Sequence, residues 1–241
     1  MGYLRCCLLL LPLLLLSAAP PKVPKLKPTR HIRIHVPEPS DICRNPLNNN
    51  FFVVSDDGIL FEVDIDGIPV REAAFRGFDF EAVYADESHV YLVEEYTRKI
   101  RVFDQATLTL QRTVHLPYGG GRNKSYEAFT FNPVTGRYIL LTEKDPIYLF
   151  ELDTALNVVN EWDMNHLAAD ISAATFYNGH LWLLSDEDMH VIRLDPVTRE
   201  ETGRWYVPII NPEGMVFTDE GKLIVLSDDM ERMYFFEISE M

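Results

Sequence analysis

DFEAVYADESHVYLVEEY (residues 79–96) reads as a strand, a polar turn and a second strand, with Glu81 at its start and Glu94-Glu95 at its end. Both ends of such a hairpin lie on the same side, so like charges are brought together. Related stretches recur: SYEAFTFNPVTGRYILLTE, DISAATFYNGHLWLLSDE, NPEGMVFTDEGKLIVLSDD and, first in the chain, the degenerate EPSDICRNPLNNNFFVVSDD. Aligned on Glu81, the anchors are Ser40, Glu81, Glu127, Ser172 and Glu213, spaced by 41, 46, 45 and 41 residues. A period in the forties with several short strands per unit is the pattern of propeller blades.

One unit contains four strands. AVYAD and VYLVE flank the turn ESH, and KIRVFD and LTLQRTVHL follow. Their β-branched and aromatic content favours strands. The turn sequences NPVTG (132–136), NG (178–179) and DEG (219–221) fall between first and second strands. Five first strands predict an all-β, five-bladed β-propeller over residues 31–241. The last blade ends after RMYFFEI (232–238), its third strand, while RHIRIHVP (30–37) stands before the first blade and resembles the fourth strands. The expectation is a ring closed by this N-terminal strand completing the last blade, which removes exposed sheet edges.

In a propeller the start of each first strand and the end of each second strand share one face. The starts are the five anchors, and the ends contribute Asp56, Glu95, Glu143, Asp186 and Asp228. Crowded carboxylates cost free energy unless a cation, a proton or an arginine offsets them. A hard divalent cation, Ca²⁺, is the expected cofactor, with Glu81, Glu127, Glu213, Glu95 and Glu143 as its candidate ligands. Zn²⁺ is not expected, because no His or Cys occupies these repeat positions. For Asp56, Asp186 and Asp228, capping of turns through backbone N–H groups is the competing role. Glu94 stands where other blades carry Ser or Thr.

Length and charge bound the function. The chain has 241 residues and 47% apolar content, enough for one large core. Five of its 22 basic residues and none of its 37 acidic ones precede residue 31, so the remainder carries 17 against 37, a net of −20. Such a body repels nucleic acid and attracts cations. Residues 1–19, a short basic start followed by a Leu-rich run and small residues, form a secretory signal peptide or an uncleaved N-terminal anchor. Residues 20–30, PPKVPKLKPTR, read as an extended, disordered Pro/Lys-rich linker. Cys43 is the only cysteine beyond the leader, which excludes an intramolecular disulfide in the body.

The D/N-x-E-[AG] starts, the EE and TEKDP ends, the DISAATF…LWLLSDE blade and the closing NPEGMVF…LIVLSDD together resemble the SdiA-regulated (YjiK-like) family, which shares parts of its motifs with NHL-type propellers. The resemblance implies a five-bladed propeller with a bound calcium ion, exported to the periplasm or the periplasmic face of the inner membrane. It supplies no established enzymatic activity. The sequence departs from the family at 81–82 and 127–128, where EG becomes EA; only Glu213-Gly214 keeps the glycine.

Two functions compete: an exported calcium-binding scaffold for a protein or small-molecule partner, and a metal-dependent hydrolase of a lactone or phosphate ester. No catalytic residue is assigned. His89 and His180 fall on turns of the opposite face and His115 in an outer strand, leaving His166 as the one histidine placed near the acids. PYGGGRNKS (117–125) lacks the ending of a phosphate loop and reads as a link between blades, with Arg122 and Lys124 at the rim. DIDG (64–67) lacks the later Glu of an EF-hand and reads as a hairpin turn.

Overall fold

The computed structural model describes residues 22–117 and 125–238. The signal or anchor segment and the whole GGGRNK link (119–124), with Arg122 and Lys124, lie outside the described residues. Among the described residues, twenty strands form five four-stranded antiparallel sheets. Blade one is β2 (Pro39–Arg44), β3 (Phe51–Ser55), β4 (Ile59–Val63) and β5 (Pro69–Glu72); blade two is β6 (Phe80–Ala85), β7 (His89–Glu94), β8 (Lys99–Asp104) and β9 (Thr109–His115). Blade three is β10 (Tyr126–Asn132), β11 (Arg137–Thr142), β12 (Tyr148–Leu152) and β13 (Val158–Asp163); blade four is β14 (Ala173–Tyr177), β15 (His180–Ser185), β16 (His190–Leu194) and β17 (Glu201–Tyr206). Blade five takes β18 (Pro212–Phe217), β19 (Leu223–Ser227) and β20 (Arg232–Phe236) in sequence, and its outer position is filled by β1 (Arg30–Arg33). β1 runs antiparallel to β20, from Arg30 opposite Phe235 to Arg33 opposite Arg232. The inner strands touch in the cyclic order β2, β6, β10, β14, β18 and back to β2.

The core explains why the second strands read as unbroken apolar runs. Successive side chains of a strand point to opposite faces, and each blade is covered on both. In β3, Phe51 and Val53 pack with Ile224 and Leu226 of blade five, whereas Phe52 and Val54 pack with Val83 and Leu92 of blade two. The same division gives five hydrophobic clusters, one between each pair of neighbouring blades. Burying each such side chain contributes roughly 1.5–3 kcal/mol, so stability resides between the sheets.

The linker expectation is corrected for the residues described. Leu26 donates its N–H to Tyr206 O (2.9 Å), and Tyr206 donates to Pro24 O (2.8 Å). Leu26 is 8% exposed and packs with Trp182 and Trp205, and Thr29 N–H bonds Phe235 O at 2.7 Å. Pro and Lys composition indicated a solvated chain, but one leucine with an apolar slot holds the segment against blades four and five.

Turn chemistry follows the sequence. Asn178 and Gly179 both have positive φ (46° and 78°), as a two-residue hairpin requires. The DIDG stretch is a hairpin turn, with Gly67 N–H to Asp64 O at 3.0 Å. Of the described glycines, Gly58 is the most constrained: φ is +74°, and a Cβ there would lie 2.2 Å from Gly77 O. Gly58→Ala is expected to cost about 3 kcal/mol, from backbone strain and displacement of the 73–79 loop. Chemical denaturation, read as a lower midpoint at unchanged slope, checks it.

Candidate metal centre

The site is built by a repeated defect in the inner strands. Pairing slips between Pro39 and Asp41, Phe80 and Ala82, Tyr126 and Ala128, and Pro212 and Gly214. Ser40, Glu81, Glu127 and Glu213 are therefore each left opposite nothing, in a β-bulge, a device that re-aims a side chain. In blade four the inner strand starts one residue after the anchor, and Ser172 Oγ donates to Pro212 O at 2.9 Å.

Two residues before each anchor lies a second repeated position: Glu38, Asp79, Ser125, Asp170 and Asn211. Glu38, Asp79 and Asn211 adopt left-handed φ of 43°, 57° and 47°. The carbonyls of Glu38, Asp79, Ser125 and Asn211 accept the N–H groups of Asp56 (3.1 Å), Glu95 (3.0 Å), Glu143 (2.9 Å) and Asp228 (3.2 Å). In blade four the Asp170 side chain takes over, accepting from Ser185 Oγ (2.5 Å), Asp186 N–H (3.2 Å) and Glu187 N–H (3.1 Å). Each acid at a second-strand end is thus tied to the approach of its own inner strand.

A cavity of about 140 Å³ opens among Ser40, Asp56, Glu81, Glu127, Glu213 and Asp228. Of the five candidate ligands, Glu81, Glu127 and Glu213 line it. Beside it, one carboxylate oxygen each from Asp79, Glu81 and Glu95 lie within 4.8 Å of one another. Glu143 faces the same group but is engaged by Lys144 Nζ at 2.5 Å, which also reaches Glu187 at 2.9 Å. Asp56 and Asp228 line the cavity as well as ending their strands; Asp56 accepts the Ser40 hydroxyl and Asp228 the Asn211 amide at 3.3 Å.

Burial is the main cause of the shifted acidities, and neighbouring carboxylates add to it. Glu127 is raised well above the carboxylate range by burial and then by Glu81, Glu95, Glu143 and Glu213. Glu81 is raised in the same way, by burial and then by the charges of Asp56, Asp79, Glu95 and Glu213. Glu213 is pushed to about 8 by burial, Asp186 and Asp228. Glu95 reaches about 7 through burial, opposed by the Ser125 N–H that donates to its Oε1 at 2.6 Å. Asp186 and Asp228 are raised to about 6, again chiefly by burial. Glu127 Oε2 and Ser125 Oγ are buried without a hydrogen-bond partner among the described residues. A buried oxygen in that condition carries a desolvation cost that a cation or a proton would offset.

Three positions carried signals that the repeat alignment passed over. Asp79 and Asp170 stand two residues before the anchors, and extending the alignment upstream would have exposed a polar position in every blade. Asp41 stands where the other blades have Ala or Gly; it is 1% exposed, and its Oδ2 accepts Val83 N–H of blade two at 2.9 Å. Glu94 is settled by a different partnership: it is fully buried and pairs with Arg101 at 2.6 Å and Thr97 at 2.5 Å. His166 is exposed on the loop after β13. Ala82 and Ala128 replace glycine without positive φ, whereas a Cβ on Gly214 would come 3.0 Å from Asp41 Cα, where blade five meets blade one.

These features define the class of the protein: a five-bladed β-propeller whose bulged inner strands gather carboxylates at one mouth. Residues 28–237 match the SdiA-regulated family, and the chain belongs to it. No curated protein matches the sequence. Among solved structures, the glutaminyl cyclase of Myxococcus xanthus is similar in fold, with a TM-score of 0.71 at 14% identity over 89% of this chain and 97% of that one. At that identity the likeness concerns the fold alone.

Proposed function

We propose that the protein is an exported cell-envelope propeller that binds a calcium ion at its acidic mouth and serves as a binding or scaffold module. The observation that carries this reading is Glu127 Oε2, a buried carboxylate oxygen without a partner beside a cavity lined by Glu81 and Glu213. The donor set is all oxygen, which suits a hard cation, and a flexible ring of carboxylates suits Ca²⁺ better than the strict octahedron of Mg²⁺. Glu81, Glu127 and Glu213 would hold the ion, with Glu95 and Asp79, whose oxygens lie within 4.8 Å of one of Glu81, beside them. Glu143, already satisfied by Lys144, would contribute charge more than coordination. Export to the periplasm, with the N-terminal segment as signal or tether, rests on the leader and on the family resemblance.

Calorimetric titration of chelator-stripped protein with Ca²⁺ and Mg²⁺ tests this. Calcium is expected to bind more tightly than magnesium, and Glu81→Gln, Glu127→Gln and Glu213→Gln each to weaken it at least tenfold. Parent-like binding by all three variants would refute the assignment. Chelator-sensitive turnover in a lactone and phosphodiester screen would replace the scaffold reading with the hydrolase.

A further inference from the structure

Beside the acidic mouth lies a second, open cavity of about 730 Å³, lined by Asp56, Asp57, Gly77, Phe78, Asp79 and Tyr96. Asp56 borders both cavities. Phe78 is 69% exposed and Tyr96 50% exposed, and no other large apolar side chain described is more exposed than Phe78. These rings do not sit on loose tips. Gly77 N–H bonds Gly58 O at 2.9 Å and Asp79 N–H bonds Asp56 O at 3.2 Å, so backbone bonds hold Phe78 on both sides. Glu95, next to Tyr96, donates to Asp79 O at 3.0 Å and accepts Arg98 N–H at 3.0 Å. A Cβ on Gly77 would lie 2.3 Å from the Phe80 ring, so the loop is seated as closely as its backbone allows. The fold thus holds the Phe78 ring, 69% exposed, out into water next to three carboxylates, an exposed apolar surface of the kind that marks binding sites.

The chemistry of the lining selects the ligand. An anion meets Asp56, Asp57 and Asp79 in a body of net charge −20. A neutral apolar ligand would strip water from those carboxylates without replacing it. A bare metal ion would use the oxygens and leave the rings idle. A guanidinium or ammonium group satisfies both, pairing with carboxylates while its stem and charge lie on aromatic faces. We propose that this cleft binds an organic cation of the arginine or lysine type, its head among Asp56, Asp57 and Asp79 and its stem against Phe78 and Tyr96. The proposal goes beyond the calcium reading and stands without it, since a bound dication would leave the mouth negative.

The test uses the protein at low salt, with chelator and with added Ca²⁺ in parallel, titrated with acetyl-Gly-Arg-Gly-amide, its citrulline counterpart and free arginine amide, and followed by NMR chemical shifts. The arginine peptide is expected to bind at least tenfold more tightly than the citrulline one and to weaken in 0.5 M salt. Phe78→Ala, Tyr96→Ala and Asp57→Asn are each expected to weaken it threefold to tenfold, Phe78→Ala and Asp57→Asn at unchanged melting temperature. Equal binding of arginine amide and peptide identifies a small amine as the source; tighter binding of the peptide identifies a polypeptide side chain. Glu127→Gln is expected to lose calcium yet keep arginine binding, so the two proposals fail separately. Equal affinity for citrulline, an unaffected Phe78→Ala, or loss of arginine binding in Glu127→Gln would each overturn the cleft assignment.

Discussion

Stripped of metal, the protein is expected to become less stable as pH rises from about 5 to 8, and calcium is expected to reverse the loss. Glu95 and Glu213 have folded-state pKa values of about 7 and about 8, and Asp186 and Asp228 of about 6, all above the ordinary carboxylate range of roughly 4. Between those limits the folded chain holds more protons than the unfolded one, so stability falls with pH there. The contribution is complete below about pH 4 and is lost as pH passes through 6 to 8. Water at the open mouth screens these groups, so the loss is on the order of a few kcal/mol, or roughly 10 °C for a domain this size. Calcium at 100 times its Kd returns about 2.7 kcal/mol, roughly 5–10 °C, and returns less at pH 6, where protons compete. Glu127→Gln separates a metal ligand from a structural carboxylate. It is expected to raise the melting temperature in chelator at pH 8 while abolishing the gain from calcium. Thermal unfolding with chelator or calcium at pH 6 and 8 measures all four quantities, and a chelated melting temperature that climbs from pH 6 to 8 would overturn the electrostatic account.

Removing residues 31–36 is expected to abolish stable folding. The deletion takes away most of β1, the outer strand of blade five, together with Ile34 and Val36, which are 0% and 1% exposed and pack with Val216 and Ile224. It also removes the Arg33–Glu231 ion pair at 2.6 Å, which is exposed and adds little. Losing a buried Ile or Val typically costs a few kcal/mol each, and whole domains are stable by only about 5–15 kcal/mol. The loss leaves β20 with an unpaired edge, a template for aggregation. Circular dichroism melting and light scattering of the truncated chain check this; parent-like unfolding without aggregation would show that the strand is dispensable. Ile34→Ala, which keeps β1 and its backbone pairing, is expected to cost only a few kcal/mol.

The blades were legible because a propeller repeats one local pattern: polar turns at regular spacing, with strands whose two faces are both buried. Phe51 to Val54 read as strand from four consecutive apolar residues, and the structure divides them between two neighbouring blades. The site was legible in part. Glu81, Glu127 and Glu213 stood out because Glu is a poor turn former at a recurring strand start. Asp79 did not, since an Asp before a strand reads equally as a turn residue, and only the left-handed backbone at that point brings its oxygen to Glu81 and Glu95. Glu94 and Glu95 are adjacent in sequence yet sent to opposite sides of the strand end, one into an ion pair with Arg101 and one into the acid cluster.

By itself, the sequence determined the number of blades, the order of their strands, the face on which the acids gather and the excess of negative charge, because each is a property of local pattern or of composition. Only the tertiary structure decided which acids share a cavity, which are satisfied by Lys144, Arg101 or a serine hydroxyl, and where Phe78 and Tyr96 stand beside them. Those outcomes depend on where the bulges turn side chains and on how closely one blade approaches the next. Both are set by contacts between residues distant in the chain, which no local pattern records.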